Sequence, residues 1–160
     1  MQVALPLLAY GALVGITLWS CWRNEVMQAV GWALLFSWVS SIAAHYLVPV
    51  MDQPQAYTVC ETAVLSMAFF SHVLGAGRAM IALVAVSMVS IGANFYVSSF
   101  DTLTRSQINA WELATNTCFV IENLLVIVPM VYDRARARLA VRRDHFAFHG
   151  RAASATETQR

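Results

Sequence analysis

The chain has 160 residues, of which 59% are hydrophobic and only 12% charged, with a formal net charge of +1 and a mean hydropathy of +0.59. Soluble domains carry about 25% charged and 45–50% apolar residues, so a single soluble core is excluded. The length suits about five membrane-spanning helices and little else. All ten basic residues are arginine, and five of them crowd into residues 134 to 143. The three cysteines, Cys21, Cys60 and Cys118, lie in separate apolar stretches with no C-x-x-C spacing, which argues against a disulfide framework and against zinc.

Five apolar stretches follow one another. Residues 4–22 form the first, closed by Arg23, Asn24 and Glu25. Residues 26–48 form the second, ended by Pro49 and a short loop with Asp52 and Pro54. The third covers 57–77 and runs into Arg78; the fourth covers 79–100 and ends at Asp101. The fifth covers about 108–132, with Ser106 as its expected N-cap. Each is long enough, at about 1.5 Å per residue, to cross a hydrocarbon core of about 30 Å. The short links make neighbouring spans antiparallel hairpins. The expected fold is therefore all-α: a polytopic membrane protein whose domain of residues 1–132 is a five-helix bundle. An arginine-rich juxtamembrane segment, 133–150, and a small polar tail, 151–160, expected to be disordered, follow it.

Arginine placement orients this bundle. With the C-terminus cytoplasmic, every arginine except Arg105 falls inside, as the positive-inside rule requires, and the N-terminus falls outside. The multi-pass chain then belongs in an inner (plasma) membrane. The first stretch is not expected to be a cleaved signal, since its positive charge follows the apolar run. In the juxtamembrane segment Arg134, Arg136, Arg138, Arg142 and Arg143 are suited to anionic lipid headgroups, at about 1 kcal/mol per basic residue. Phe146 and Phe148 can add interfacial anchoring, and nucleic acid is not an expected partner.

Polar residues recur inside the spans. Glu112, Asn116, Glu122 and Asn123 fit on about one third of the fifth helix at about 100° per residue, a face expected to be buried against protein. The fourth span offers Ser87, Ser90, Asn94 and Ser98, the third Glu61 and His72, and the second Ser37, Ser41 and His45. The first has Gly11 and Gly15 at GxxxG spacing, which permits close helix packing. Taking each span's midpoint as the membrane centre puts His45, Glu61 and Glu112 in one outer layer, about 9–12 Å from the centre. Asn94 and Asn116 share a layer, while Glu122, Asn123 and His72 fall in the inner half. Two roles compete for the seam: interhelical hydrogen bonding, at about 0.6 kcal/mol per bond, and a proton or ion pathway, since ionisable groups within a membrane are rare and costly.

No catalytic constellation, glycine-rich phosphate cradle or metal motif occurs, so neither an enzyme nor a cofactor is expected. His45 and His72 are expected about 20 Å apart along the membrane normal, too far to ligate one haem. His145 and His149 are spaced i, i+4 but lack a third metal ligand.

The motif WELATN…IENLL…YDRAR, following four short hairpin-linked spans, resembles small polytopic membrane proteins of tailed bacteriophages, some of them holin-like. That resemblance implies a non-enzymatic protein that alters membrane permeability or envelope state through self-association. Two alternatives are an accessory subunit that docks into a larger membrane complex and a proton-coupled channel or transporter built on Glu61, Glu112 and Glu122.

Overall fold

The computed structural model describes the backbone of residues 4–100 and 102–157, and side chains within 8–100 and 102–139. Five helices follow in order: α1 (Ala4–Cys21), α2 (Glu25–Leu47), α3 (Gln53–Val73), α4 (Ala79–Ser98) and α5 (Arg105–Glu157). The described residues are all helix and connecting turn. By length and composition, three segments are apolar enough to cross a membrane: Glu25–Leu47, Ala79–Ser98 and Arg105–Leu139. The chain divides into two compact units, residues 1–127 and 128–160.

Local chemistry accounts for the helix ends. Asn24 caps α2, its side-chain oxygen accepting from the Met27 N–H at 3.1 Å. The α2–α3 link is held by Gln53, whose amide donates to the carbonyls of His45 at 3.2 Å and Val48 at 3.1 Å. Those carbonyls belong to the otherwise unpaired end of α2. Pro54 stands in the first turn of α3, where its missing N–H costs nothing.

A glycine ends α3. Gly75 has φ +87°, the Ala76 N–H donates to the Ser71 carbonyl, and the Gly75 N–H donates to the His72 carbonyl. This paired arrangement is the Schellman motif, which favours a left-handed residue at the position Gly75 fills. The third apolar stretch is therefore displaced: α3 starts at Gln53 rather than 57 and stops at Val73 rather than 77. Its centre moves about four residues, or about 6 Å, and Glu61 moves with it toward the middle of the helix.

The start of α5 corrects a second expectation. Thr104, not Ser106, caps it. The Thr104 hydroxyl accepts from the Gln107 N–H at 3.3 Å, and the Gln107 side chain accepts from the Thr104 N–H at 2.9 Å. This reciprocal capping box needs the long Gln side chain, which Ser106 lacks three residues on. At the other end α5 reaches Glu157, through most of the segment expected to be a disordered tail. Alanine and arginine, both strong helix formers, make up much of that stretch. Residues 158–160 lie outside the described residues.

In the first unit, α1 packs on α2, α2 on α3 and α3 on α4. The part of α5 in this unit reaches α1, α3 and α4 through side chains. Phe119 meets Tyr10 edge to face at 5.8 Å, Trp111 stacks on Tyr57 at 5.4 Å, and Glu122 accepts from Ser87 at 2.6 Å. The second unit begins near Pro129, which lies inside α5. Lacking an N–H, this proline leaves one helical carbonyl without its backbone partner.

Candidate functional site: a buried carboxyl pair beside an aromatic cavity

Glu61 on α3 and Glu122 on α5 meet in the interior of the first unit. Glu122 is fully buried and Glu61 is 8% exposed. Their carboxyls lie within hydrogen-bonding range of one another, and the Ser37 hydroxyl of α2 lies beside Glu61. One oxygen of Glu122 takes the Ser87 hydroxyl of α4. The Oε2 atoms of both glutamates have no donor. Cys118, free and buried, lies within electrostatic reach of both. A carboxyl can donate to a carboxylate only when a proton sits between them. Two bare carboxylates in contact, with no cation beside them, would repel in a medium that screens poorly. The geometry therefore suits a pair that shares one proton.

The expected layers are rearranged accordingly. The sequence sets Glu61 level with His45 and Glu112, and Glu122 about 12 Å further inward; the displacement of α3 carries Glu61 about half of that distance toward Glu122. His45, Glu61 and Glu112 nevertheless line one cavity of about 400 Å³, together with Asn94, Asn116 and Ser90. Glu112, Asn116 and His45 are exposed and form the cavity's open side. The polar face of α5 is thus split. Glu122 and Asn123 are fully buried, whereas Glu112 and Asn116 are not packed against protein as expected.

Asn123 accepts from the Thr17 hydroxyl of α1 at 2.6 Å and donates to the Phe119 carbonyl at 2.9 Å. Asn94 of α4 accepts from the Trp111 indole N–H at 2.8 Å. Its Nδ2 has no partner, and neither has the Ser90 hydroxyl. Ser98 turns back to the Asn94 carbonyl at 2.8 Å. His72, near the far end of α3, is half-buried with its Nδ1 unpartnered, and it does not line the cavity. His45 and His72 each stand near the C-terminal end of neighbouring hairpin helices, hence at opposite ends of that pair.

The two α1 glycines differ. A Cβ on Gly11 would meet the Trp38 ring at 3.1 Å, whereas one on Gly15 would meet nothing within 4 Å. A Cβ on Gly31 of α2, a glycine not singled out from sequence, would meet the Leu18 side chain of α1 at 3.2 Å. Sequence reasoning also passed over Thr17, Trp111 and the aromatic walls Tyr10, Trp38 and Tyr57. Only Trp111 carries a usable signal, because a buried indole N–H needs an acceptor and Asn94 is on a facing helix.

Among the described residues, no three His, Cys, Asp or Glu side chains are grouped to hold a metal ion. Arg134 is half-buried, and Arg136 and Arg138 are exposed. The side chains of Arg142 and Arg143, with His145, Phe146, Phe148 and His149, lie outside the described ones. No family model, curated protein or solved structure matches this chain.

Proposed function

We propose that the chain is a non-enzymatic, multi-pass protein of an inner membrane, with five spans, its N-terminus outside and its C-terminus cytoplasmic. In this reading it carries protons across the membrane by way of Glu61 and Glu122, and couples a small solute to that flow. The observation that carries it is the contact of two buried carboxyls, both with an oxygen lacking a donor, beside a cavity that one of them lines. Interhelical hydrogen bonding alone does not require an ionisable group that costs about 3 kcal/mol at mid-membrane. Serine or asparagine would serve as well, and both occur nearby.

The test is proton flux in liposomes reconstituted with wild-type protein, Glu61→Gln and Glu122→Gln. Glutamine keeps the hydrogen-bonding shape and cannot exchange a proton. Flux should be present in wild type and fall about tenfold or more in each variant, with melting temperature in detergent held. Wild-type liposomes no leakier than empty ones would overturn the reading.

Gly15 supports a second reading. It is exposed on α1 with open space where a side chain would stand. A second copy, or a subunit of a larger membrane complex, can pack there closely. This is the contact that permeability through phage-type self-association would use. Crosslinking through Gly15→Cys, together with absent flux, would favour it.

A further inference from the structure

The cavity has a chemistry of its own. Tyr10, Trp38, Tyr57 and Phe119 supply aromatic walls. Glu61 lines it from the interior and Glu112 from the open side. No arginine lines it; His45, on the open side, is the one lining group able to become a cation. Its volume of about 400 Å³ falls within the range of about 300–1,000 Å³ typical of small-molecule sites.

Three buried polar atoms on this lining lack partners: Glu61 Oε2, Ser90 Oγ and Asn94 Nδ2. Ser90 is 1% exposed and Asn94 fully buried, so each missing bond is a cost that a ligand could relieve. Their polarity is defined. Trp111 Nε1 is a donor only and it occupies Asn94 Oδ1. The amide therefore cannot turn over without losing that bond, and Nδ2 stays available as a donor. Glu61 Oε2 asks for a donor or a cation. A fitting ligand carries a donor cation at one point and an acceptor at another, with an aromatic body between aromatic walls.

We propose that this cavity binds an aryl-alkyl ammonium ion bearing an ether, hydroxyl or carbonyl oxygen. The inference rests on the proton-coupled reading and names the solute class for it. The ammonium group donates to Glu61 Oε2 and faces the Trp38 and Tyr57 rings, an arrangement that favours cations. The oxygen accepts from Asn94 Nδ2, and the Ser90 hydroxyl can bond either group. A neutral carbonyl ligand such as a quinone would satisfy Asn94 but leave Glu61 Oε2 without a donor. A bare metal ion would gain little from four aromatic walls.

The test uses full-length protein in mild detergent, titrated with 2-phenoxyethylammonium and with its neutral analogue 2-phenoxyethanol. Binding is followed by calorimetry and by tryptophan fluorescence. The ammonium should bind about tenfold or more tighter, a difference of about 1.4 kcal/mol. Glu61→Gln should bring the two ligands to parity. Trp38→Leu, which leaves the carboxyl pair untouched, should weaken the ammonium several-fold more than the alcohol. If Glu61→Gln fails to fold, the wild-type comparison and Trp38→Leu decide alone. Equal affinity for the two probes, or no binding of either at millimolar concentration, would overturn the inference. Glu122-dependent proton flux without ammonium binding would sink this solute class and leave the proton reading standing. Selective binding without such flux would keep the site and remove the proton coupling.

Discussion

The Thr17 hydroxyl on α1 and the Asn123 side-chain oxygen on α5 meet at 2.6 Å, a bond between residues 106 positions apart, with both side chains fully buried. Asn123 also ties back to the Phe119 carbonyl at 2.9 Å, which fixes its amide so that the oxygen faces Thr17. Thr17→Val removes the hydroxyl at nearly constant volume and leaves a buried acceptor without a donor. The variant should lose about 1 kcal/mol, within the range of about 0.6–1.7 measured for interhelical bonds in membranes. A double-mutant cycle with Asn123→Leu, read by unfolding in detergent, should return a coupling of that size. A coupling near zero would mean that the bond adds nothing to stability.

Glu122 should tolerate an amide better than a hydrocarbon. Glu122→Gln keeps an acceptor for Ser87, and its Nδ-like amide nitrogen, Nε2, donates permanently toward Glu61, in place of a shared proton. Stability should hold or rise slightly, because one ionisable group fewer is buried. Glu122→Leu abandons Ser87 and Glu61 together and should cost about 1–2 kcal/mol. A Leu variant as stable as wild type would show that the pair contributes nothing to holding the helices.

The two glycines of α1 should part company. Gly11→Leu must displace the Trp38 ring, already 3.1 Å from an added Cβ. It should therefore lower the melting temperature and alter Trp38 emission in a background where the other tryptophans are Phe. Gly15→Leu meets open space and should leave the monomer's melting unchanged or slightly raised, since leucine is the better helix former. Equal effects at the two positions would contradict the asymmetry.

Topology is open to direct labelling. With Cys21, Cys60 and Cys118 replaced by Ala, Asp52→Cys should react with an impermeant thiol reagent added outside the cell. Gly150→Cys should react only after the membrane is opened. Changing Arg134, Arg136, Arg138, Arg142 and Arg143 to Gln should scramble this orientation or weaken attachment of the tail to anionic vesicles. Both labels on one side would rule out five spans.

The number of helices was legible because long apolar runs separated by arginine, proline and aspartate leave few alternatives. The polar positions Ser37, Ser87, Ser90, Asn94 and Glu122 were legible as stripes at helical spacing. Depth was not. A hydropathy boundary marks where polarity changes, while α3 begins where Gln53 can reach the α2 carbonyls and stops where Gly75 can turn left-handed. That difference of four residues moves Glu61 about 6 Å from the expected level of Glu112 toward that of Glu122. The aromatic walls were hidden for another reason. Tyr10, Trp38 and Tyr57 look like ordinary membrane-helix residues until three helices bring them around one space.

The order of synthesis adds a consequence to the way α5 is packed. The first four helices pack neighbour to neighbour, yet Thr17, Ser87 and Asn94 all find their interhelical partners on α5. A chain halted before residue 105 would hold these donors and acceptors with no α5 to receive them. The last helix acts as a keystone: it supplies the partners that the earlier helices lack, and a nascent protein without it is an unfinished assembly.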